Sequence, residues 1–538
     1  MVTEPDAPVW RRSTARNSVT VAGWTVASRL VGLVRVLVIG AVMGPTYLAN
    51  VFQAAYVLGG NVFTLMAGPV LAMVVVPAVV KALTASGTAR ASETLGRVAG
   101  RLLAIAALGA AALALASPAV AWMLVFGVPG PDRSRAWLLT IILILFMAPQ
   151  VLMYTVSGVA VAAQQARGHF ALPAAAPGVE SIGAIITVLI AAWAFGTGLE
   201  VGQAPIAMII LLGAGSTCSV LLLAGLQMYG AMRAGVSIRP RRGWRTDPEA
   251  LDSVRRIARS VPVAASPVLT SFLLTVLAGT VPGGVLVIQL SYQVFYGLSY
   301  VGARAVSMAA LPKLAAAASA NDDAEFAAAW RQGLNYALIV SLPSLILLAT
   351  FAGPTADLLA NGELRKSSLI GMLATCLAVV AVAQLVGGIH DLGRQALFSR
   401  FDDSGPRSAS YLALLAGVVV GATALLLPAD GSRLACLAAA ILAAELAAAA
   451  RVISRLRHAI PAHRIVDLGQ IAVAAAGLLA MLPLIASGGW LLETVRPERT
   501  IELAVLLGTG LLAVTAYAAV LRVLGRRPAV DKPTVEGG

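Results

Sequence analysis

Two arginines stand in an otherwise apolar stretch, Ala27-Ser28-Arg29-Leu30-Val31-Gly32-Leu33-Val34-Arg35. Arginine cannot shed its charge in a protein, and holding one at a bilayer centre costs about 2.5–3.5 kcal/mol on insertion scales. Such a residue is a functional candidate by default. The chemistry it offers is anion recognition, because a guanidinium forks two donors onto carboxylate or phosphate oxygens. The competing use is structural, capping a neighbouring helix end or snorkelling to the interface. In a helix Arg29 and Arg35 lie about 9 Å apart along the axis and about 120° apart around it. A shared wall therefore requires a bend, which Gly32 permits, or a wide cavity.

Arg304 is a third intramembrane cation, and Asn50, Asn61, Gln289 and Gln293 are polar residues suited to a cavity lining. The substrate-binding candidates are thus Arg29, Arg35, Arg304, Asn50, Asn61 and Gln293. Glu180 and Glu445 are the clearest acids within apolar runs. Each is open to three uses: balancing an arginine, carrying a coupling proton, or closing an interhelical pair. His390-Asp391 falls near a span end, where a solvated helix terminus is expected.

No P-loop, HExxH, GxSxG or His/Cys/carboxylate cluster is present, so no enzyme activity, cofactor or metal is expected. Cys218, Cys376 and Cys436 sit in apolar runs without a CxxC spacing and read as small buried hydrophobes.

The elements that must carry these residues are membrane spans. Of 538 residues, 59% are apolar and 12% charged, and mean hydropathy is +0.86. Soluble domains carry about 25% charged residues, so lipid must solvate much of this chain. A span needs roughly 20 apolar residues. Fourteen candidates are predicted, at about 19–43, 51–80, 102–126, 137–163, 174–195, 204–230, 261–279, 284–311, 333–352, 368–391, 408–427, 434–453, 467–487 and 501–521. The first follows Arg11, Arg12 and Arg16, is longer than a signal-peptide core, and lacks a cleavage site.

With a cytoplasmic N-terminus, inside segments hold 29 of the 39 Lys and Arg residues and outside loops hold seven. This is the positive-inside bias, and it turns the net charge of +14 into a topology signal rather than a nucleic-acid footprint. The expected organisation is a cytoplasmic segment 1–18, a six-span lobe 19–232, a basic cytoplasmic linker 233–260, a second six-span lobe 261–455, two further spans in 456–525, and a cytoplasmic tail 526–538 without fixed structure.

The two lobes echo one another. Pro77, Pro118 and Pro173 recur as Pro312, Pro354 and Pro406 at offsets of 235, 236 and 233 residues. An even number of spans per repeat gives both lobes the same orientation, with a cavity between them, the layout of a rocker-switch transporter.

Ser28-Arg29-Leu30-Val31-Gly32-Leu33-Val34-Arg35 resembles the "SRxxGxxR" opening of the MurJ/MviN lipid II flippases, members of the multidrug/oligosaccharidyl-lipid/polysaccharide exporter superfamily. Gln165-Ala166-Arg167-Gly168-His169-Phe170-Ala171-Leu172-Pro173-Ala174-Ala175-Ala176-Pro177 resembles that family's "xARGxFxxPAxxP". Leu311-Pro312, Trp330-Arg331-Gln332-Gly333, Leu342-Pro343-Ser344, Gly353-Pro354 and Gly362 follow in order.

The resemblance implies a fourteen-helix, two-lobed transporter that carries an undecaprenyl-pyrophosphate-linked saccharide outward across the bacterial cytoplasmic membrane, with cavity arginines on the pyrophosphate. Its partners would be that lipid, the bilayer, and cell-wall synthesis proteins at the cytoplasmic loops. Arg29 and Arg35 match two of the family's arginine positions. Elsewhere the chain departs: Asn50 replaces an Asp, Val62-Phe63-Thr64 replaces a pair of arginines, and Ser291-Tyr292-Gln293 lacks the arginine of an "ADR". A MATE-like or Wzx-like exporter and a transport-inactive scaffold for cell-wall synthesis are the alternative readings.

Overall fold

A computed structural model describes the chain apart from residues 1–13, 67, 242, 244–254, 256–264, 366–368, 461, 496–497 and 525–538. The described residues contain helices and no strand. Lipid cannot satisfy backbone N–H and C=O groups, and a helix pairs them within the segment. Large apolar side chains such as Leu108, Leu115, Trp193, Leu507 and Leu511 point outward from these helices, as a lipid-solvated surface requires.

The chain divides into two compact units. The first comprises Met1–Gly297, Ala360–Leu373 and Ala413–Ala440. It holds α1 (Thr14–Met43), α2 (Tyr47–Met66), α3 (Gly68–Leu124), α4 (Gly130–Met147), α5 (Gln150–Ala166), α6 (Ala171–Phe195) and α7 (Ile206–Arg233). It also holds α8 (Ala265–Ala278) and most of α9 (Gly284–Val301). The short α13 (Gly362–Arg365) completes it, with parts of three helices named below.

Local chemistry sets the boundaries. α1 stops at Gly44, whose φ of +66° suits glycine, and Pro45 follows. Thr46 then caps α2, its Oγ1 accepting from Ala49 N at 3.1 Å. α6 ends at Gly196 with φ +96°. α1 lies along α6, where Gly178 faces Ser28 and Gly32 faces Ser181. Small residues at such a crossing let backbones approach closely in the absence of a hydrophobic drive between helices.

The second unit comprises Leu298–Leu359, Ala374–Leu412 and Ile441–Gly538. It includes α10 (Ala303–Ser319), α11 (Asp323–Thr350), α12 (Ala352–Leu359), α17 (Leu468–Val495) and α18 (Arg499–Leu524). α14 (Leu369–Ser399), α15 (Ser404–Thr423) and α16 (Gly431–Ala459) contribute to both units. Asp322 caps α11 by accepting from Glu325 N at 2.8 Å. Trp330 Nε1 donates to Ile465 O at 3.1 Å, and Arg331 donates to Arg464 O at 2.7 Å. These bonds pin the segment that leads into α17, which packs on α18 around Phe351, Met481, Ile485 and Tyr517.

Twelve described helices are long and apolar enough to span a bilayer, or thirteen when α9 and α10 count as one broken span. The seventh expected span, 261–279, overlaps α8, a shorter apolar helix whose approach lies outside the described residues. A joint was expected between residues 80 and 102, but α3 runs unbroken through it. That stretch has no proline, and its three glycines, Gly87, Gly96 and Gly100, are scattered among alanines and other helix-compatible residues, so helix propensity carries the chain through. The tail expected at 526–538 lies outside the described residues.

Candidate functional site

The best-defined polar cluster of the first unit forms where α1, α2, α5 and α6 converge. Arg35 is buried, at 8% exposure, and its guanidinium carbon sits 4.3 Å from the ring centroid of Tyr56. Tyr56 donates its hydroxyl to Glu180 Oε1 at 3.0 Å, and Tyr154 donates to the same oxygen at 2.8 Å. Phe63 stacks on Tyr154 with centroids 5.9 Å apart, so an aromatic wall backs the acid.

The helices place each member for a reason. Arg35 extends from α1 two turns beyond Ser28, near the small-residue crossing with α6. Pro177 lies inside α6 one turn before Glu180 and frees a backbone carbonyl there. Tyr56 and Tyr154 come from α2 and α5.

Electrostatically the cluster is a buried cation matched to a half-buried acid through two phenols. The Tyr56 ring attracts the cation by its quadrupole. Stacking engages the guanidinium face and leaves in-plane N–H groups for oxygen ligands. Among the described residues, Arg35 Nε is buried with no hydrogen-bond partner.

Arg29 does not share this environment. It is exposed on α1, as the angular offset between the two arginines predicts. Asn61 lies half-buried on α2, and Gln293 half-buried on α9 beside the stacked Tyr292 and Tyr296. Arg304 is half-buried on α10 in the second unit.

Asn50 has a different setting. It is 3% exposed at the start of α2. Its Nδ2 donates to Val281 O at 2.7 Å, and its Oδ1 accepts from Val285 N at 3.0 Å. Both ends of the amide are spent on the turn between α8 and α9. Nearby, Arg433 donates to Thr280 Oγ1 at 2.8 Å, and Glu363 of α13 lies against Gly44 and Gly198. Beside this region, in the loop before α7, burial and the carboxylate of Asp132 raise the Glu200 carboxyl above its usual range, against the opposing Tyr47 backbone bond.

In the second unit Glu445 faces His390, with Oε2 and Nδ1 2.9 Å apart. Asp391 pairs with Arg394 at 2.5 Å and accepts from Ser307 at 2.9 Å. His390 and Asp391 therefore lie inside the helix assembly, with at most 18% of either side chain accessible, instead of at a solvated terminus. Tyr56, Tyr154 and His390 were not singled out as partners from sequence. Aromatic residues on apolar helices carry no distinguishing spacing, and each meets its partner from another helix.

Residues 39–506 match the family model described as lipid II flippase MurJ. A solved structure titled "Lipid II flippase MurJ, inward closed conformation" aligns over 94% of this chain and 100% of its own, with a TM-score of 0.72 at 16% identity. An inward-facing multidrug resistance MATE family transporter of the MOP superfamily aligns over 81% and 95%, with a TM-score of 0.63 at 16% identity. A MOP superfamily transporter from Pyrococcus furiosus, described as having a binding pocket of reverse polarity, aligns over 83% and 96% with a TM-score of 0.57 at 16% identity. No curated relative matches.

Proposed function

This chain belongs to the MurJ lipid II flippase family, and from that premise we propose that it carries lipid II from the inner to the outer leaflet of the bacterial cytoplasmic membrane. The pyrophosphate is the part of the cargo that needs protein. Its polyprenyl tail is at home in lipid, whereas its charge is excluded from hydrocarbon. The observation that carries the site assignment is Arg35, a cation sealed in an apolar bundle with its Nε unpartnered among the described residues and an acid nearby. When the cavity opens, phosphate oxygens take the guanidinium donors and the cation stays beside Tyr56. Arg29, exposed on the same helix, meets the headgroup on entry.

Transport proceeds by alternating access. The repeat of six spans supplies two lobes, and the Asn50 bonds to the α8–α9 turn make and break as one end of the pathway closes and opens. The basic segment around Arg233–Arg259 lies on the cytoplasmic side with both termini, and cell-wall synthesis proteins dock on that side.

The test is complementation. Cells depleted of their own lipid II flippase receive this protein, and outer-leaflet lipid II is measured. Restoration by wild type and loss in Arg35→Ala are expected. Full restoration by Arg35→Ala would remove the pyrophosphate site, and no restoration by well-expressed wild type would remove the flippase reading.

A further inference from the structure

We propose that His390 and Glu445 form a proton-exchange site in the second unit and that this site couples transport to the proton gradient. The coupling rests on the transport reading above; the protonation site does not.

Both residues lie in helices that qualify as membrane spans, His390 in α14 and Glu445 in α16. Their side chains are 18% and 23% accessible, and Nδ1 and Oε2 are 2.9 Å apart. With Glu445 ionised, Nδ1–H donates to it and Nε2 carries a bare lone pair. That nitrogen is buried and has no hydrogen-bond partner among the described residues. It is the place for an incoming proton. Uptake forms one N–H bond, turns the imidazole into imidazolium, and neutralises the carboxylate beside it. Release returns the proton to water.

The surrounding charges leave this pair as the variable one. On α14, Asp391 and Arg394 already match each other. On α10, Ser307 donates to Asp391, and Arg304 stands one turn earlier. On α16, Arg451 donates to Ser408 of α15 at 2.9 Å. α11 meets α14 through uncharged Gly333 and Ser341. A hard metal cation takes several oxygen ligands, and an imidazole facing one carboxylate does not supply them. A proton needs only the pair, and histidine is the side chain that ordinarily changes charge near neutral pH.

Packing converts the charge into movement. A β-carbon added at Gly388 would lie 2.3 Å from Ala303 Cβ, and one added at Gly393 would lie 2.1 Å from Val452. α14 is thus wedged against α10 and α16 on both sides of the dyad. Cores this dense switch between discrete arrangements and do not deform gradually. Protonation changes the attraction between α14 and α16 one turn along α14 from their tight contact at Gly393 and Val452.

The experiment uses the full chain labelled with 15N-histidine, and the His390 resonances are identified by their loss in His390→Gln. The expected result is a reversible change from singly to doubly protonated ring nitrogens as pH is lowered, and a different response in Glu445→Gln. In vesicles carrying fluorescent lipid II, a pH gradient should speed flipping by wild type, and both variants should lose that response while remaining folded and still binding lipid II. An unvarying His390 ring overturns the site. A wild type indifferent to the gradient, or variants that keep the response, overturns the coupling. Wild type that flips no lipid defeats the transport reading, and with it the coupling, while the ring titration still decides the protonation site.

Discussion

A guanidinium sealed in an apolar bundle stays charged at every physiological pH, so its partners decide what it does. Arg35 has a phenol ring beneath it and an acid beyond that ring. Tyr56→Phe keeps the face and deletes one donor to Glu180, which should cost about 1 kcal/mol of stability, the net worth of a typical hydrogen bond. Tyr154→Phe should cost a similar amount, since it donates to the same oxygen. Glu180→Ala should cost more than either, because it strands both phenol donors at once and removes the acid nearest the buried Arg35. Thermal unfolding in detergent micelles checks the ranking. Equal losses for all three would mean that the acid is not the counter-charge of Arg35. Arg35→Lys keeps the charge but loses both the fork and the flat stacking surface, so it should not restore lipid II transport to wild-type rate. A lysine that transports as well as arginine would show that a point charge is enough.

At the scale of elements, the start of α2 depends on an amide that gives and receives. Asn50→Asp would keep the acceptor for Val285 N and place a carboxylate oxygen against Val281 O, where the amide now donates. A loss of about 1–3 kcal/mol is expected from the unsatisfied buried groups, read as a lower unfolding temperature. No change would mean that the turn between α8 and α9 is held by other contacts. The start of α15 offers a pH test. Burial pushes the Asp402 carboxyl up, but Ser404, the Gly405 amide and Arg455 outweigh it and hold it below the usual carboxylate range. A depressed acid adds stability that is present at neutral pH and lost as pH falls through its folded value. Asp402→Asn should therefore lower the unfolding temperature at pH 7 and make little difference at strongly acidic pH. Most spans were legible in sequence because an apolar run of membrane-crossing length is a local property of the chain. The joint before residue 102 was not, because weak breakers in an alanine-rich stretch lose to propensity. The cation Arg35 was legible as costly, whereas its pairing with Tyr56 and Glu180 was not. Those partners stand on other helices, 124 residues apart from each other, and helix periodicity says nothing about which helices meet.

For the molecule as a whole, the arrangement of charge is the remaining physical handle. Eight basic residues crowd the segment from Arg233 to Arg259, whereas the joint at 127–136 holds two and the joint at 196–205 none. A positive loop stays on the side where the chain is made, because translocating it works against the membrane potential and the desolvation of each cation. The outward transport of lipid II requires that same orientation, since the cargo is made where the basic loops lie. In a chain with Cys218, Cys376 and Cys436 replaced by alanine, a cysteine at Gly243 should react with a membrane-impermeant thiol reagent only after the cells are opened. Cysteines at Gly130 and Gln203, both exposed in the joints beside α4 and α7, should react in intact cells. The opposite pattern would invert every helix, and the Asn50 bonds to the α8–α9 turn would then close the cytoplasmic end of the pathway, where lipid II must enter.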